Sequence, residues 1–335
     1  MEKITIGRTG LKATVAGLGC GGASELGIEK YGQGHAADLV RTAFDSGVNY
    51  FDTATVYGTQ GAVGEGLAGI PRDQYIISTK FPCFPNLDAL DTDEKFPALN
   101  SRSRLKPVET FWELLEESLR LLKTDYIDVY NLQGVIPVDY PYVRDLYIPE
   151  MQKAREQGKI RFFGITEFFQ NDTTHEMLKQ CLPDDLFDVV MIGMNILNHS
   201  AVRTLLPLTK RNNVGVIGMF AVRRALSSPD QLVTDIERIL EMGQGGPDLK
   251  ASKDTLDFLL ENGGAGSIME AGYRYCRHIP GVHVTLAGTG NKDHLMDNLN
   301  SLAMPPLSDG ALKRIEELFG NVDCVCGQYS TKLNI

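Results

Sequence analysis

The stretch Val48-Asn-Tyr-Phe-Asp-Thr-Ala-Thr-Val-Tyr-Gly58 predicts a buried strand that ends in a charged residue and then turns. Tyr50 and Phe51 favour strand structure. Asp52 follows where the apolar run stops, and Tyr57 comes five residues later. Because a carboxylate at the end of a buried strand is costly without a partner or a task, we expect Asp52 to belong to a functional site.

A second apolar segment, Gln74-Tyr-Ile-Ile-Ser-Thr-Lys80, repeats this pattern with the opposite charge. The carboxyl ends of parallel strands lie at one edge of a sheet, where binding sites form. We therefore expect the Asp52 carboxylate, the Lys80 amine and the Tyr57 phenol to meet there. A rim ion pair beside an ordinary tyrosine is the structural alternative.

Most of the chain alternates apolar strands with amphipathic helices, which predicts a parallel sheet. Eight such units in about 300 residues fit a closed barrel. We therefore predict an α/β fold, a (β/α)8 TIM barrel, as a single domain over residues 1–335, with an N-terminal β-hairpin and a C-terminal helical extension. An open doubly wound sheet is the alternative. The predicted strands are 13–19, 48–52, 74–80, 126–133, 160–166, 187–197, 214–222 and 282–288. The predicted helices are 35–46, 60–70, 109–123, 147–157, 173–181, 200–212, 232–242, 253–260, 267–277, 292–302 and 309–319.

A glycine triplet, Gly17, Gly19 and Gly22, matches the spacing of a dinucleotide-binding fingerprint. That fingerprint requires a helix to begin at once. Residues 23–34 contain three more glycines and show no helical period. We therefore predict a glycine-rich loop that lets a ligand approach the backbone.

The composition limits the classes of function. A net charge of -10 argues against a nucleic-acid partner, and no apolar run is long enough for a membrane helix. Residues 1–10 do not resemble a signal peptide, so we expect a cytoplasmic protein with reduced thiols. Cys324 and Cys326 form the only close cysteine pair. Two tail thiols are expected there, and a redox or metal site is the alternative.

Together these motifs resemble the aldo-keto reductase family, in order and spacing, from residue 3 to about residue 302. The resemblance implies a (β/α)8 barrel that binds NADPH or NADH without a Rossmann fold and interconverts carbonyls and alcohols by hydride transfer. The matching motifs are Phe51-Asp-Thr-Ala-Thr-Val-Tyr-Gly58, Ser78-Thr-Lys80, Asp125-Tyr-Ile-Asp-Val-Tyr130, Gly164-Ile-Thr166 and Gly288-Thr-Gly-Asn291 followed by Asn298.

The resemblance assigns a role to each member of the charged cluster. Tyr57 is the expected general acid, or the base in the reverse direction. Lys80 is expected to lower the pKa of the phenol, and Asp52 is expected to keep Lys80 charged and oriented. The substrate is expected to be a small sugar, aldehyde or ketone.

One catalytic position departs from the family pattern. The family carries a histidine at the end of the fourth strand, where this chain has Gln133. A glutamine amide donates a hydrogen bond but does not titrate near neutral pH. Slower reduction, a different substrate and lost catalysis all stay open, and the alternative function is a cofactor-binding regulatory subunit with weak or no catalysis. A barrel with a different cofactor is a third possibility.

The cofactor positions also vary. Thr166 and Glu167 replace the family's Ser-Asn pair, Met191 replaces a later glutamine, and Phe220 is either the aromatic that stacks on nicotinamide or core filler. NADP is the expected cofactor, with NAD possible. The remaining cofactor candidates are Gly22, Gly288, Thr289, Gly290, Asn291, Lys292, His294, Asp297 and Asn298.

Two irregular segments, residues 81–106 and 223–251, interrupt the alternation. Long loops inside a compact domain are usually functional or mobile. The first is either a substrate-facing loop or a solvated insertion. The expected partner is a small molecule, and the oligomeric state stays open.

Overall fold

The computed structural model of the protein describes residues 1–22, 24–83 and 105–328. Within them, eight parallel strands close into a barrel, which confirms the predicted architecture and excludes the open sheet. The barrel strands, in chain order, are β3 (Ala16–Gly19), β4 (Tyr50–Asp52), β5 (Ile76–Pro82), β6 (Ile127–Val135), β7 (Ile160–Glu167), β8 (Val189–Gly193), β9 (Gly215–Met219) and β10 (Val284–Ala287).

Helices connect successive strands and cover the outside of the barrel. Their apolar faces pack against the outward side chains of the strands, as the amphipathic pattern predicts. The helices are α1 (Ile28–Asp45), α2 (Gln60–Gly66), α3 (Val108–Leu122), α4 (Tyr140–Glu156), α5 (Glu176–Cys181), α6 (Ser200–Thr204), α7 (Leu206–Arg211), α8 (Arg224–Ser227), α9 (Pro229–Glu241), α10 (Phe258–Glu261), α11 (Ile268–His278), α12 (Lys292–Ala303) and α13 (Asp309–Phe319).

The predicted N-terminal hairpin is confirmed as β1 (Lys3–Thr5) paired with β2 (Lys12–Thr14). Two apolar side chains of its turn, Ile6 and Leu11, enter the barrel's interior core. The hairpin therefore closes the N-terminal end of the barrel. In barrels of this type, active sites form at the opposite, C-terminal end. The other buried members of this interior core are Ala13, Tyr50, Ile76, Val129, Val189, Met191, Ile217 and Val284.

Several predicted boundaries are wrong, each for a local reason. The first helix begins at Ile28 instead of residue 35, because Gly32 adopts φ 83° and ψ 173° and lets a kinked helix form through the glycine-rich segment. The strand predicted at 187–197 ends at Gly193, because the chain turns through a bridge between Asn195 and Asn198. The helix predicted at 200–212 is split into α6 and α7 just before Pro207.

Two further helix predictions need correction. Helix α4 begins at Tyr140, seven residues before the predicted start, with a proline in its first turn where no donor is needed. Of the helix predicted at 253–260, only α10 forms. The predicted C-terminal extension is confirmed as α13, at the predicted bounds. Most of the irregular segment 81–106 lies outside the described residues.

The chain after α13 returns across the C-terminal end of the barrel. The Asn198 side chain donates to the Val325 carbonyl at 2.8 Å, and the Asn195 side chain donates to the Cys326 carbonyl at 3.0 Å. The Ala225 amide donates to the Gly327 carbonyl at 3.0 Å. This tail, residues 322–327, is therefore tied both to the end of β8 and to the loop after β9. No helix in the described ranges is long and apolar enough to span a membrane.

Candidate active site

Asp52 and Lys80 form a buried ion pair at the C-terminal end of the barrel. The Lys80 Nζ lies 2.5 Å from Asp52 Oδ2 and donates to the Thr53 carbonyl at 2.8 Å. The Ser78 hydroxyl donates to the other Asp52 oxygen at 2.8 Å. Asp52 pairs with Ser78 in the β4–β5 register, so the strands themselves bring these groups together.

Each member of the pair influences the ionisation of the other. Burial raises the pKa of the Asp52 carboxyl, against the opposing effects of Lys80 and Ser78. Burial would lower the pKa of Lys80, but the charges of Asp52 and Tyr57 together with the Asp52 hydrogen bond raise it. Lys80 is therefore held as an ammonium in a site with almost no solvent.

Tyr57 lies beside this ion pair. It ends a short 3-10 helix, Thr55–Tyr57, which begins three residues after β4. Lys80 Nζ lies 5.0 Å from the centre of the Tyr57 ring. The Gln133 amide nitrogen lies 3.4 Å from the Tyr57 hydroxyl, a long hydrogen bond. The structure thus brings together all four residues predicted to form the catalytic group.

The ionisation of Tyr57 reflects two opposing effects. Burial raises the pKa of the phenol, and this effect outweighs the lowering by Lys80 and Arg223. Lys80 lowers the pKa of the phenol, as predicted, but burial sets the net direction. A phenol with a raised pKa stays protonated at neutral pH, which suits a proton donor.

Gln133 is the residue that stands where the family has histidine. It lies in β6 opposite Pro82 of β5, and only 8% of its surface is exposed. Its Nε2 contacts the Tyr57 hydroxyl, whereas its buried Oε1 has no hydrogen-bond partner among the described residues.

Gly21, in the loop after β3, packs against the ring of Tyr57. No sequence pattern pointed to this residue. A Cβ added at Gly21 would lie 2.6 Å from Cζ of Tyr57 and closer still to two other ring carbons. The ring therefore occupies the space that any other residue at position 21 would fill. The predicted cofactor residue Gly22 comes next, with φ 78° and open space around it.

Glu167 is already engaged by other residues of the protein. Both of its carboxylate oxygens contact Nδ1 of buried His175, at 2.8 and 3.0 Å, and one accepts from the Gly193 amide at 2.7 Å. Thr166 Oγ1 donates to the Glu167 carbonyl at 3.2 Å. His175 lies away from any strand end, so the pattern of strand ends did not reveal it.

Phe220 and Arg223 follow β9 on the same side of the barrel. Phe220 adopts φ 69°, and its ring lies 3.5 Å below the Arg223 guanidinium carbon. The Phe169 ring lies 5.8 Å away, and it stacks in turn on His175. Burial lowers the pKa of Arg223 to about 10. The charge of Arg223 lowers the pKa of Tyr57, an effect that the sequence did not predict.

The predicted cofactor loop joins β10 to α12. Gly290 packs against Gly27, and its carbonyl contacts His35 Nε2 at 2.8 Å. The Asn291 side chain accepts from the amides of Asp293 and His294, so these two helix donors are already satisfied. The other predicted residues of this region are exposed or half-buried: Gly288, Thr289, Lys292, Asp297 and Asn298.

A separate cavity of about 940 Å³ lies at the opposite end of the barrel. Asn49, Asp128 and Arg161 belong to its lining. Asp128 is satisfied there by ion pairs with Arg72 at 2.6 Å and Arg161 at 2.7 Å. These groups lie at the N-terminal end of the barrel, away from the Asp52–Lys80 pair.

Comparisons with known proteins agree with this architecture. Residues 18–319 match the profile described as the Aldo/keto reductase family. L-galactose dehydrogenase of Arabidopsis thaliana is 31% identical over 225 residues, which cover 65% of this chain and 64% of that protein. A probable aldo-keto reductase of Glycine max is 22% identical, and the chain spans 58% of its length.

Solved structures share the fold at low identity. The holo form of aldo-keto reductase AKR11C1 from Bacillus halodurans superposes with a TM-score of 0.71 at 24% identity, covering 97% of this chain and 98% of that one. An aldo/keto reductase from Klebsiella pneumoniae in complex with NADP and acetate gives 0.63 at 19% identity, covering 96% and 97%. The match to the family profile extends over nearly the whole barrel, and the chain therefore belongs to the aldo/keto reductase family.

Proposed function

We propose that the protein is an NAD(P)-dependent oxidoreductase that interconverts a small carbonyl compound and its alcohol. One observation carries this proposal: the buried Asp52–Lys80 pair at 2.5 Å, with Lys80 Nζ 5.0 Å from the centre of the Tyr57 ring. A pair of apolar side chains would stabilise this end of the barrel as well as the buried ion pair does. Its position beside a phenol supports proton transfer as its task.

Tyr57 donates the proton in the direction of reduction. Burial keeps its phenol neutral, and the nearby Lys80 ammonium stabilises the phenolate that forms when the proton leaves. Asp52 holds that ammonium in place through a short contact and in turn accepts from Ser78. In the direction of oxidation the phenolate takes the proton of the alcohol.

Gln133 orients the carbonyl group. Its amide lies at the Tyr57 hydroxyl, so a carbonyl oxygen bound there accepts from both groups. A charge developing on that oxygen is stabilised by donors that are already in position. Gln133 does not relay a proton, because an amide does not titrate in the relevant range.

The residues around the C-terminal end fit a nicotinamide dinucleotide, which supplies the hydride when bound. The loop after β10 is exposed and adjoins β3, whose following loop carries Gly21 against Tyr57. Lys292 and His294 at the start of α12 are exposed, and their side-chain nitrogens can donate hydrogen bonds to a phosphate. We favour NADP over NAD for this reason, with Asp297 and Asn298 facing the adenine. Phe220 and Thr166 are proposed to contact the nicotinamide.

A sugar, aldehyde or ketone is the proposed substrate. Similarity to L-galactose dehydrogenase supports a sugar, and a 30% identical segment shared with methylglyoxal reductase DkgB of Salmonella typhi supports a small carbonyl. The experiment is to follow nicotinamide absorbance with a panel of carbonyls and alcohols, for wild type and Tyr57→Phe. Turnover that Tyr57→Phe abolishes supports the proposal. Equal activity in both proteins contradicts it.

The same assay decides on the alternative, a cofactor-binding subunit without catalysis. This alternative rests on Gln133, which lacks the titratable group of the family's histidine. NADPH binding measured by fluorescence quenching, with no turnover of any substrate, favours the regulatory subunit. Activity that rises in Gln133→His marks a weakened enzyme instead.

A further inference from the structure

Arg223 carries a positive charge that no acidic side chain offsets in the part of the chain that the structure describes. The groups whose charges act on its guanidinium are Cys326, Tyr57 and Tyr273, and none of them is a carboxylate. A charge removed from water is costly unless it is paired. An unpaired cation that is half-buried at the end of a barrel where active sites form calls for a functional explanation.

Two other charged groups at this end of the barrel have partners. The Lys80 ammonium lies 2.5 Å from a carboxylate oxygen of Asp52. The Glu167 carboxylate contacts the ring of His175 at 2.8 Å. The charge of Arg223, which has no such partner among the described residues, therefore remains available to act on a bound ligand.

The guanidinium lies directly on the ring that the proposed function assigns to the nicotinamide. Its carbon atom is 3.5 Å from the centre of the Phe220 ring, which is a close cation–π contact. Gly327 of the tail packs against the stem of the Arg223 side chain. The charge of Arg223 also acts on Tyr57. It therefore bears on both the proposed nicotinamide contact and the proposed proton donor.

The two forms of the cofactor differ in one property on which this charge can act. NADPH and NADP⁺ carry the same phosphates, riboses and adenine, but the nicotinamide ring is neutral in NADPH and positively charged in NADP⁺. Like charges repel more strongly in a site with little solvent than in water. A positive charge held against Phe220 therefore disfavours the oxidised ring and has much less effect on the reduced ring.

We propose that Arg223 makes the site bind NADPH more tightly than NADP⁺, and that it thereby favours carbonyl reduction over alcohol oxidation. This inference rests on the proposed function and deepens it, because it assigns a direction to the same site. The charge leaves the equilibrium between carbonyl and alcohol in solution unchanged, as any catalyst must. It speeds the release of the oxidised cofactor, since differences in affinity between related ligands lie mostly in their dissociation rates.

A competing role for Arg223 is to bind the phosphates of the cofactor. An arginine guanidinium forms strong paired hydrogen bonds with phosphate oxygens. Because both forms carry the same phosphates, loss of such a contact would weaken the binding of NADPH and NADP⁺ equally. The ratio of the two dissociation constants therefore separates the two roles.

The test measures the dissociation constants of NADPH and NADP⁺ by calorimetric titration without substrate. The proteins are wild type, Arg223→Gln, which removes the charge, Arg223→Lys, which keeps it, and the control Arg224→Gln. Arg224 is the next residue and is exposed, so its variant should match wild type. Circular dichroism checks that each variant is folded. The same titrations are made with NADH and NAD⁺.

Two unit charges about 10 Å apart, at an effective dielectric constant of about 20, change a binding constant by roughly tenfold. We therefore expect wild type to bind the reduced form about tenfold more tightly than the oxidised form, and Arg223→Gln to lose most of this preference. Arg223→Lys and Arg224→Gln should keep it. An equal weakening of both forms in Arg223→Gln assigns the guanidinium to the phosphates and overturns the proposal. Equal affinity of wild type for the two forms overturns it without any variant.

The binding measurement also separates failure of this inference from failure of the proposed function, because it does not depend on turnover. If both forms bind but no carbonyl compound or alcohol is turned over, the proposed function fails, and the ratio in Arg223→Gln still decides on the inference. If wild type binds neither pair of cofactors, both are contradicted.

Discussion

Replacing Gly21 with alanine should displace the phenol of Tyr57. The added Cβ would lie 2.6 Å from Cζ of Tyr57, and ordinary contact begins at 3.4 Å, so the ring must retreat by at least 0.8 Å. The backbone at Gly21 lies outside the left-handed region, and alanine is therefore tolerated there by the main chain itself. The perturbation acts on the position of the phenol rather than on the fold.

The size of the effect follows from this displacement. A shift of about 1 Å in a reacting group costs about 100-fold in rate, so we expect kcat to fall by about 100-fold in Gly21→Ala. Steady-state kinetics with the best substrate of the panel measure this loss, and thermal unfolding monitors the fold. NADPH affinity from fluorescence quenching shows whether the cofactor site is intact.

Gly34→Ala is the matched control. Position 34 lies in α1 with no atom within 4 Å of an added Cβ, so the variant should keep wild-type kinetics. If Gly21→Ala folds normally and keeps its kcat within about threefold, far short of the loss expected from a misplaced reacting group, the ring does not need its present position and the reasoning is wrong. A loss of equal size in Gly34→Ala would contradict it as well.

Three further predictions concern charges. Lys80→Met should abolish activity and lower the free energy of unfolding by about 3–5 kcal/mol, because it leaves Asp52 buried without its partner; adding Asp52→Asn should restore most of that stability, measured by denaturant titration, but no activity. Arg223→Gln should move the alkaline limb of the pH–rate profile to higher pH, since Arg223 lowers the pKa of Tyr57, whereas Arg224→Gln, at an exposed position, should leave the limb unchanged. Burial raises the pKa of Asp235 to about 6. The free energy of unfolding should therefore fall by about 3 kcal/mol as the pH rises from about 4 to above 6, because a difference of one pKa unit corresponds to about 1.36 kcal/mol. Asp235→Asn should be more stable than wild type at pH 7.5, and a difference in unfolding temperature that does not shrink toward pH 4 would contradict this assignment.

The barrel was predictable because its signal is repeated. Each strand is an apolar run and each helix has its own apolar face, so an error at one boundary does not change the architecture. The errors occur where the conformation of one or two residues determines where a helix or strand begins or ends. Gly32 permits a kinked helix where the glycine-rich segment predicted a loop, and a bridge between Asn195 and Asn198 ends β8 early.

The charged cluster was predictable for a different reason. Asp52 and Lys80 stand at the ends of apolar runs, so the parallel sheet alone brings them to one edge. No apolar run ends at Gly21, His175 or Arg223. Their position relative to the site depends on how loops pack, so the sequence pattern did not point to them. The lowering of the pKa of Tyr57 by Lys80 was predictable, but the net direction also depends on burial, and the order of residues does not show how deeply a side chain is buried.

The tail formed by residues 322–327 has a consequence for how related enzymes diverge. The family match ends at residue 319, yet Gly327 packs against the Arg223 side chain, whose charge acts on Tyr57. Substitutions in residues 322–327 can therefore alter the surroundings of Arg223 and Tyr57 without touching any family motif. Two members with identical barrels and motifs could differ in the molecules they accept, and the difference would be found in a segment that family-wide comparison leaves out.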